Sequence, residues 1–459
     1  MKLWKITRDD SLFSRALRGG AWTILAHGSD TVIRLISSLI LTRLLFPDAF
    51  GLIAAATSLL IGLTLISDVG VRTIIMRSPN GDDTDFLRFA WTFQICRGIS
   101  LWIILISICM ALAFGPIGDL LPSQSVFKDP QFPAVTCVLG LSLVMSGFES
   151  TAVHLNSRRL NLRPVLLLDT ISRTISLPLT VYLAWITNSV WAVVCGNLLS
   201  SGIRLLMTHF FVPGPKMSLR WDSALVKEFI QFGRWITLSS SASFIGGQGD
   251  RIFIGVLMSG STLGMYSIAK VISEAMLSLF ERLNSALAVP VLGEVIRRDP
   301  SSLRPKYYRF RLPFDLIVPF LGGFVLTSGS LLIHFLYDVR YAEAGFLLQI
   351  LALSFLMVPA GLIATAFPLT GEPRISAIIS VVQAASLFAC MTIGFWFEGM
   401  TGIVFGVGVH RIIPSLLLLY FSFERGWVSA WKELRIIPTF IAGILIGELV
   451  VRVANQHGF

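Results

Sequence analysis

Stretches of about twenty apolar residues, the length that crosses the hydrocarbon of a bilayer, recur from one end of this 459-residue chain to the other. Inside lipid the backbone must satisfy its own hydrogen bonds, and for runs of this length the α-helix does so. The pattern predicts an all-α integral membrane protein. Only 14% of the residues are charged, against roughly 25% in soluble domains. Thirteen spans are expected, within a range of 12–14: 20–46, 50–76, 89–114, 134–155, 165–186, 190–211, 232–257, 263–289, 313–336, 346–369, 376–397, 402–422 and 436–454. The first nineteen residues are basic and polar, without the apolar core and cleavage site of a signal peptide, so the first span is expected to direct its own insertion.

The net charge of +10 is explained by where the basic residues fall. With the N-terminus in the cytoplasm, twenty-three loop Lys and Arg face inward, Arg311 among them, and two, Lys128 and Arg340, face outward. That is the bias that orients membrane proteins, and it leaves no reason to invoke nucleic acid. The basic segments 156–164 and 212–231 read either as orientation signals or as pieces that meet anionic lipid heads. The five cysteines lack paired or metal spacing, so no disulfide framework, metal site or cofactor is expected. Neither a GxxxxGK[ST] loop nor an HExxH motif occurs.

The chain reads as a duplication. At a shift of 213 residues Gly20 meets Gly233, Trp22 meets Trp235, Gly51 meets Gly264 and Asp68 meets Glu281. The expected organisation is a six-helix lobe at 1–211, a cytoplasmic linker at 212–231, a second six-helix lobe at 232–422 and an additional C-terminal helix at 423–459. An even number of spans before the linker gives both lobes one orientation, related by a pseudo-two-fold along the membrane normal, as in transporters that bind substrate between lobes.

An ionisable group at the bilayer centre costs at least ~2.5–3.5 kcal/mol, and this chain has many. His27, Asp30 and Arg34 share one face of the first span. Arg97, Glu149, Asp169, Arg173 and Arg204 follow, then Asp250, Arg251, Lys270, Glu274, Glu281 and Arg282. Two readings compete. In one, i,i+4 pairs such as Asp30 with Arg34, Asp169 with Arg173 and Lys270 with Glu274 neutralise themselves, and groups near span ends such as Arg43 and Glu149 reach the interface. In the other, Arg34, Arg97, Arg173, Arg204, Arg251, Lys270 and Arg282 line a cationic cavity that grips a pyrophosphate. His27, Asp30, Asp250 and Glu274 are then candidates for carrying a coupling ion. Small residues in the first span of each lobe (Gly28 in one, Gly246, Gly247 and Gly249 in the other) are expected to let helices approach or bend.

Residues 41–77, LTRLLFPDAFGLIAAATSLLIGLTLISDVGVRTIIMR, hold the most specific signal. A leucine-rich helix end, a Pro47-Asp48 turn, Phe50-Gly51, and then Asp68-x-Gly70 resemble the opening hairpin of oligosaccharide-repeat-unit flippases, the polysaccharide branch of the multidrug/oligosaccharidyl-lipid/polysaccharide exporter superfamily. Phe46 and Val71 stand where Gly and Leu are common in that family. Read physically, the turn is outer, Gly51 starts the second helix close to the first, and Asp68 pairs with a basic group such as Arg72 at i+4. The resemblance implies a non-enzymatic transporter of the bacterial inner membrane. It implies alternating access, an ion gradient or membrane potential as energy source, and an undecaprenyl-pyrophosphate-linked oligosaccharide as cargo. A polysaccharide polymerase and chain-length machinery are the implied protein partners. The competing functions are a drug antiporter of the same superfamily, a membrane glycosyl polymerase or ligase, and a scaffold.

Overall fold

The computed structural model describes residues 12–159, 161–299 and 302–457, with the side chains of 12–27 and of a few positions inside later helices left aside. The chain is all-α among these residues. Its helices are α1 (Leu12–Leu44), α2 (Pro47–Ile66), α3 (Val71–Arg77), α4 (Thr84–Phe114), α5 (Pro116–Leu120), α6 (Phe132–Leu139), α7 (Leu141–Phe148), α8 (Ala152–Arg158), α9 (Leu162–Thr187) and α10 (Val190–Phe210). They continue as α11 (Ser223–Leu257), α12 (Gly260–Arg298), α13 (Leu303–Leu336), α14 (Ala342–Leu351), α15 (Ala366–Leu369), α16 (Pro373–Val409), α17 (Ile412–Glu424), α18 (Ala430–Glu433) and α19 (Ile436–Gln456).

Among the described residues nine helical stretches are long and apolar enough to cross a membrane, and a tenth is formed if the pair 132–148 and 152–158, bent by 58°, counts as one span. The stretch Pro373–Glu424 holds two crossings, because Glu398 and Gly399 (φ 57°) break α16 into a hairpin. Adding the long, more polar α1 and α11 brings the count to the expected thirteen. The chain is a multi-pass membrane protein.

Among the described residues two compact units emerge, one within 1–45 and 52–244, the other within 46–51 and 245–459. The division thus falls inside α11 rather than at the 212–231 segment. The reason is local. The first half of α11 carries Gly233 against Val69, Thr237 donating to the Asp68 carbonyl at 3.0 Å, and Phe244 against Gly62.

In unit 1 the chain leaves α2 through a tight corner. Gly70 takes a left-handed conformation (φ 70°), and its N–H donates to Asp68 Oδ1 at 2.8 Å. A Cβ on Gly70 would sit 2.1 Å from Ile236 Cδ1, so both conformation and space call for glycine. Asp68 Oδ2 accepts from Ser240 Oγ at 3.4 Å. The Asp-x-Gly motif is a corner and cap, and the expected Asp68–Arg72 pair is replaced by these bonds. The loop that follows is held by Arg158, which donates to Asp82 Oδ2 at 2.9 Å, to the Ile75 carbonyl at 2.7 Å and to the Ser78 carbonyl at 2.6 Å. Arg158 is therefore a structural clamp as well as a loop charge.

Arg159, and behind it Arg158, hold the Asp82 carboxyl below its ordinary 3.8. A depressed carboxylate stabilises the fold above its unfolded pKa and loses that contribution as pH falls through the folded one. The tie is thus complete at neutral pH and released below 3.8. Since Asp82 is half exposed, Asp82→Asn is expected to cost less than about 1 kcal/mol at pH 7 and nothing further in strong acid, as measured by thermal melting in detergent at the two pH values.

In unit 2 helices meet through glycines. A Cβ on Gly323 of α13 would lie 2.0 Å from the Phe440 carbonyl of α19, and one on Gly443 would lie 2.1 Å from the Phe320 carbonyl. Small residues let backbones approach where apolar burial alone gives no driving force between helices in lipid. The C-terminal helix, which contains Pro438, Glu448 and Arg452, is docked in this way. Tyr307, Phe314, Leu362, Ile363 and Phe367 form the buried core beside it.

Candidate functional site

In unit 1, α1, α9 and α10 surround a cavity of about 300 Å³. Each helix contributes a polar stripe. On α9 Asp169, Ser172, Arg173, Ser176 and Thr180 recur at three- and four-residue spacing, and on α10 Asn197, Ser200, Ser201 and Arg204 do the same. On α1 the lining is Arg34 and Ser37. The helices are pressed together at the apolar end, where a Cβ on Gly196 would meet Thr180 Oγ1 at 2.0 Å. Pro178 inside α9 removes one backbone donor beside this wall.

The charges pair between helices. Arg173 Nε lies 3.2 Å from Asp30 Oδ1, and Arg204 reaches Asp169 Oδ1 at 3.1 Å and Glu149 Oε2 at 3.2 Å. None of the expected i,i+4 pairs is the one made; in each case the partner stands on another helix or element. Glu149, expected to reach the interface, is instead turned in toward Arg204 with its side chain 15% exposed. Arg34 makes no ion pair among the described residues, and its Nε is buried without a hydrogen-bond partner. Three guanidiniums thus line the cavity against one lining carboxylate, with Asp30 and Glu149 approaching from outside the lining. Ser172, Ser176, Thr180 and Ser201 donate to carbonyls of their own helices. Such a site suits an anion through Arg34, half-buried, which offers a planar fork of donors with its Nε desolvated and no carboxylate partner.

The other sequence candidates lie elsewhere. Arg97 donates to the Thr64 carbonyl at 2.6 Å and to Ser67 Oγ, capping the C-terminal end of α2 instead of lining a cavity. In unit 2 Arg251 of α11 reaches Glu274 of α12 at 3.4 Å and Gln248 at 3.0 Å. Asp250, fully buried, accepts from Lys270 and Tyr266. Here too the Lys270–Glu274 pair expected along one helix gives way to partners across two. Arg282, half-buried on α12, lines neither this cluster nor the unit 1 cavity. His27 has its side chain outside the described residues. Gly28, Gly246 and Gly247, expected at close helix contacts, face open space, and Gly249 alone meets a neighbour, Phe388 at 3.1 Å. Close approaches are made by other glycines, Gly51 and Gly264 among them.

The serine and asparagine stripes were not among the sequence candidates. Their helical spacing in otherwise apolar runs was the signal that could have found them. Arg311 was also misplaced. It lies not in a cytoplasmic loop but inside α13, wholly buried, with Nε 2.7 Å from Asp315 Oδ1 and Nη1 2.6 Å from Glu433 Oε2.

Residues 40–345 match the family described as "Polysaccharide biosynthesis protein". The chain belongs to that family. Among curated proteins this family member is similar to the lipopolysaccharide biosynthesis protein WzxC of Escherichia coli strain K12, 19% identical over 451 residues that cover 95% of this chain and 88% of WzxC. It is also similar to the succinoglycan biosynthesis transport protein ExoT of Rhizobium meliloti strain 1021, 20% identical over 73% of this chain and 65% of ExoT. Among solved structures it has the fold of an inward-facing multidrug resistance MATE transporter of the MOP superfamily (TM-score 0.66, 14% identity, 86% of this chain and 94% of that one). The lipid II flippase MurJ in its inward closed conformation shares it as well (TM-score 0.64, 12% identity, 94% and 98%). These likenesses place the fold among two-lobed helical transporters.

Proposed function

We propose that the protein is a flippase that moves a lipid-linked oligosaccharide across the bacterial inner membrane for polysaccharide export. The observation that carries the reading is the unit 1 cavity, with Arg34, Arg173 and Arg204 on its wall and Arg34 free of any carboxylate. Arg34 stands ten residues from the end of α1, about 15 Å along the helix axis and so near mid-bilayer. A desolvated cation there is costly unless an anion visits it. The cargo is an undecaprenyl-pyrophosphate-linked repeat unit, whose diphosphate Arg34 receives first, while Arg173 and Arg204 exchange carboxylates for phosphate oxygens. The names of the WzxC and ExoT relatives, both concerned with polysaccharides, support this cargo class. Arg34, the lining guanidinium without a carboxylate partner, disfavours the cationic ligand of a drug antiporter.

The reading extends to orientation and energy. The N-terminus is cytoplasmic, transport proceeds by alternating access, and an ion gradient or the membrane potential drives it. Of the candidate coupling carboxylates, Asp250 is occupied by Lys270 and Tyr266, whereas Asp30 and Glu274 keep exposed surface, at 21% and 38%. Each is also paired with an arginine, Arg173 or Arg251, which a coupling cation displaces. Polymerase and chain-length proteins receive the product at the outer face.

The test is flipping of a fluorescent lipid-linked oligosaccharide in proteoliposomes. Wild-type protein flips it, Arg34→Ala lowers the rate at least about tenfold, the worth of one charge-assisted hydrogen bond, and Arg34→Lys restores part of it. Undiminished flipping by Arg34→Ala at normal protein level would remove the cavity from the mechanism, and no flipping by wild type would remove the function.

A further inference from the structure

Unit 2 has a cavity of its own, about 250 Å³, walled by α12, α13, α16, α17 and the segment 357–364. It shares no residue with the Asp250–Lys270 cluster. Its polar lining is Glu281, Asn284, Gln383 and Arg411, beside the rings of Phe280 and Phe314. Among the described residues none of the four polar side chains makes a hydrogen bond or ion pair within the protein. Asn284 Oδ1 is buried without a partner. An acceptor shut away from solvent and left unmet costs roughly 1–3 kcal/mol, so Asn284 Oδ1, with the exposed Glu281 and the half-buried Gln383 and Arg411 around the same cavity, indicates a ligand that meets it.

Their chemistry narrows what that ligand is. Arg411 repels a metal or monovalent cation, and Glu281 repels a phosphate. A wholly apolar group would leave all four unsatisfied. A ligand that both donates and accepts hydrogen bonds around its rim, and carries an apolar face, matches every one. Hydroxyls donate to Asn284 Oδ1 and Glu281 and accept from Gln383 Nε2 and Arg411. A C–H face lies against Phe280 or Phe314, which meet edge to face at 6.3 Å. The volume is below the ~300–1,000 Å³ of pockets for drug-sized ligands, room for one ring and not for a whole oligosaccharide.

We infer that the unit 2 cavity is a sugar-ring subsite, which reads the glycan of the cargo. The inference rests on the flippase reading and adds to it a place where cargo with the wrong sugar is refused. Arg411 was not among the sequence candidates, and Glu281 appeared there as an ionisable group within a span and as the counterpart of Asp68, not as a lining residue. Asp68 caps a corner in unit 1, so the two halves of the duplication have put the same acidic position to different uses.

The experiment compares two probes on the purified full-length protein: lipid-linked oligosaccharide extracted from the source bacterium, and undecaprenyl pyrophosphate without sugar. Wild type is expected to bind the glycan-bearing lipid more tightly. Gln383→Ala and Asn284→Leu are each expected to weaken that binding at least about tenfold, the loss from one unmet polar contact, and to leave undecaprenyl pyrophosphate binding unchanged. Gln383→Ala keeps the test open if Asn284→Leu does not fold, since Gln383 is only half-buried and makes no internal bond. Equal losses for both probes, no loss for either, or equal affinities in wild type overturn the subsite while leaving the flippase reading standing. Wild type that binds neither probe overturns the flippase reading, and the subsite with it.

Discussion

Arg311→Ala is expected to deplete the folded protein, with a loss of about 3–5 kcal/mol, the cost of breaking a buried ion pair from one side. Arg311 has no exposed surface. It is held by Asp315 at 2.7 Å, by Glu433 at 2.6 and 2.8 Å and by Tyr307 Oη at 3.1 Å, and Tyr308 donates to the same Glu433 at 2.6 Å. Truncation leaves two carboxylates facing each other in the core with no cation. Those carboxylates come from α13 and from α18, more than a hundred residues apart in sequence, so the loop 425–435 that leads into α19 is released as well. The contrast that identifies the cause is the triple replacement Arg311→Met, Asp315→Leu, Glu433→Leu. Apolar residues of similar volume often match or exceed a buried ion network in stability, so the triple variant is expected to melt near wild type. The measurement is thermal unfolding in detergent with the amount extracted from membranes. An unchanged melting temperature for Arg311→Ala would show that the network carries little.

Arg311 also illustrates where sequence reasoning reaches its limit. The run Arg304, Lys306, Arg309, Arg311 precedes an apolar stretch, and counting charges assigns all four to a loop. Helix α13 in fact begins at Leu303, so Arg311 is more than two turns inside it. Nothing local announces Glu433 as its partner. The spans were legible because crossing a bilayer imposes length and apolarity on each segment separately. The Asp68-x-Gly70 corner was legible as a motif, because one positive φ and one Asx turn are decided within three residues, though its bonding partner was not. The charge pairs were misread for the opposite reason: Asp30 with Arg173, Asp169 with Arg204 and Arg251 with Glu274 are contacts between helices, and spacing along one helix is silent on them. The cavity stripe Asn197, Ser200, Ser201, Arg204 was readable in principle, since a polar face on an apolar helix needs only the period.

Gly51→Ala and Gly264→Ala are expected to be among the most damaging single-methyl changes available to this chain, each costing at least the ~1–3 kcal/mol of an overpacked core. Both positions lie in unit 2, where the start of α2 crosses the start of α12. A Cβ on Gly51 would stand 1.8 Å from the Gly260 carbonyl oxygen, and one on Gly264 would stand 2.0 Å from the Pro47 carbonyl oxygen. The obstruction is backbone in both cases, so no side chain can rotate away, and the two helices must separate. The residues related by the 213-residue shift are therefore each other's packing partners, which explains why both are glycine. Phe50 is fixed at the same place, edge to face with buried Tyr341 at 6.0 Å, and Phe46 lies under Arg340 at 4.9 Å. The control reverses the sign. Gly28 and Gly246 have nothing within 4 Å of a built Cβ, and in a helix interior Gly→Ala gains about 0.5–1 kcal/mol where space allows. Gly28→Ala and Gly246→Ala should accordingly melt at or above wild type in detergent, while Gly51→Ala and Gly264→Ala melt well below it. If all four behaved alike, the glycines would be acting through helix propensity alone, and the hairpin motif would owe nothing to the crossing it makes.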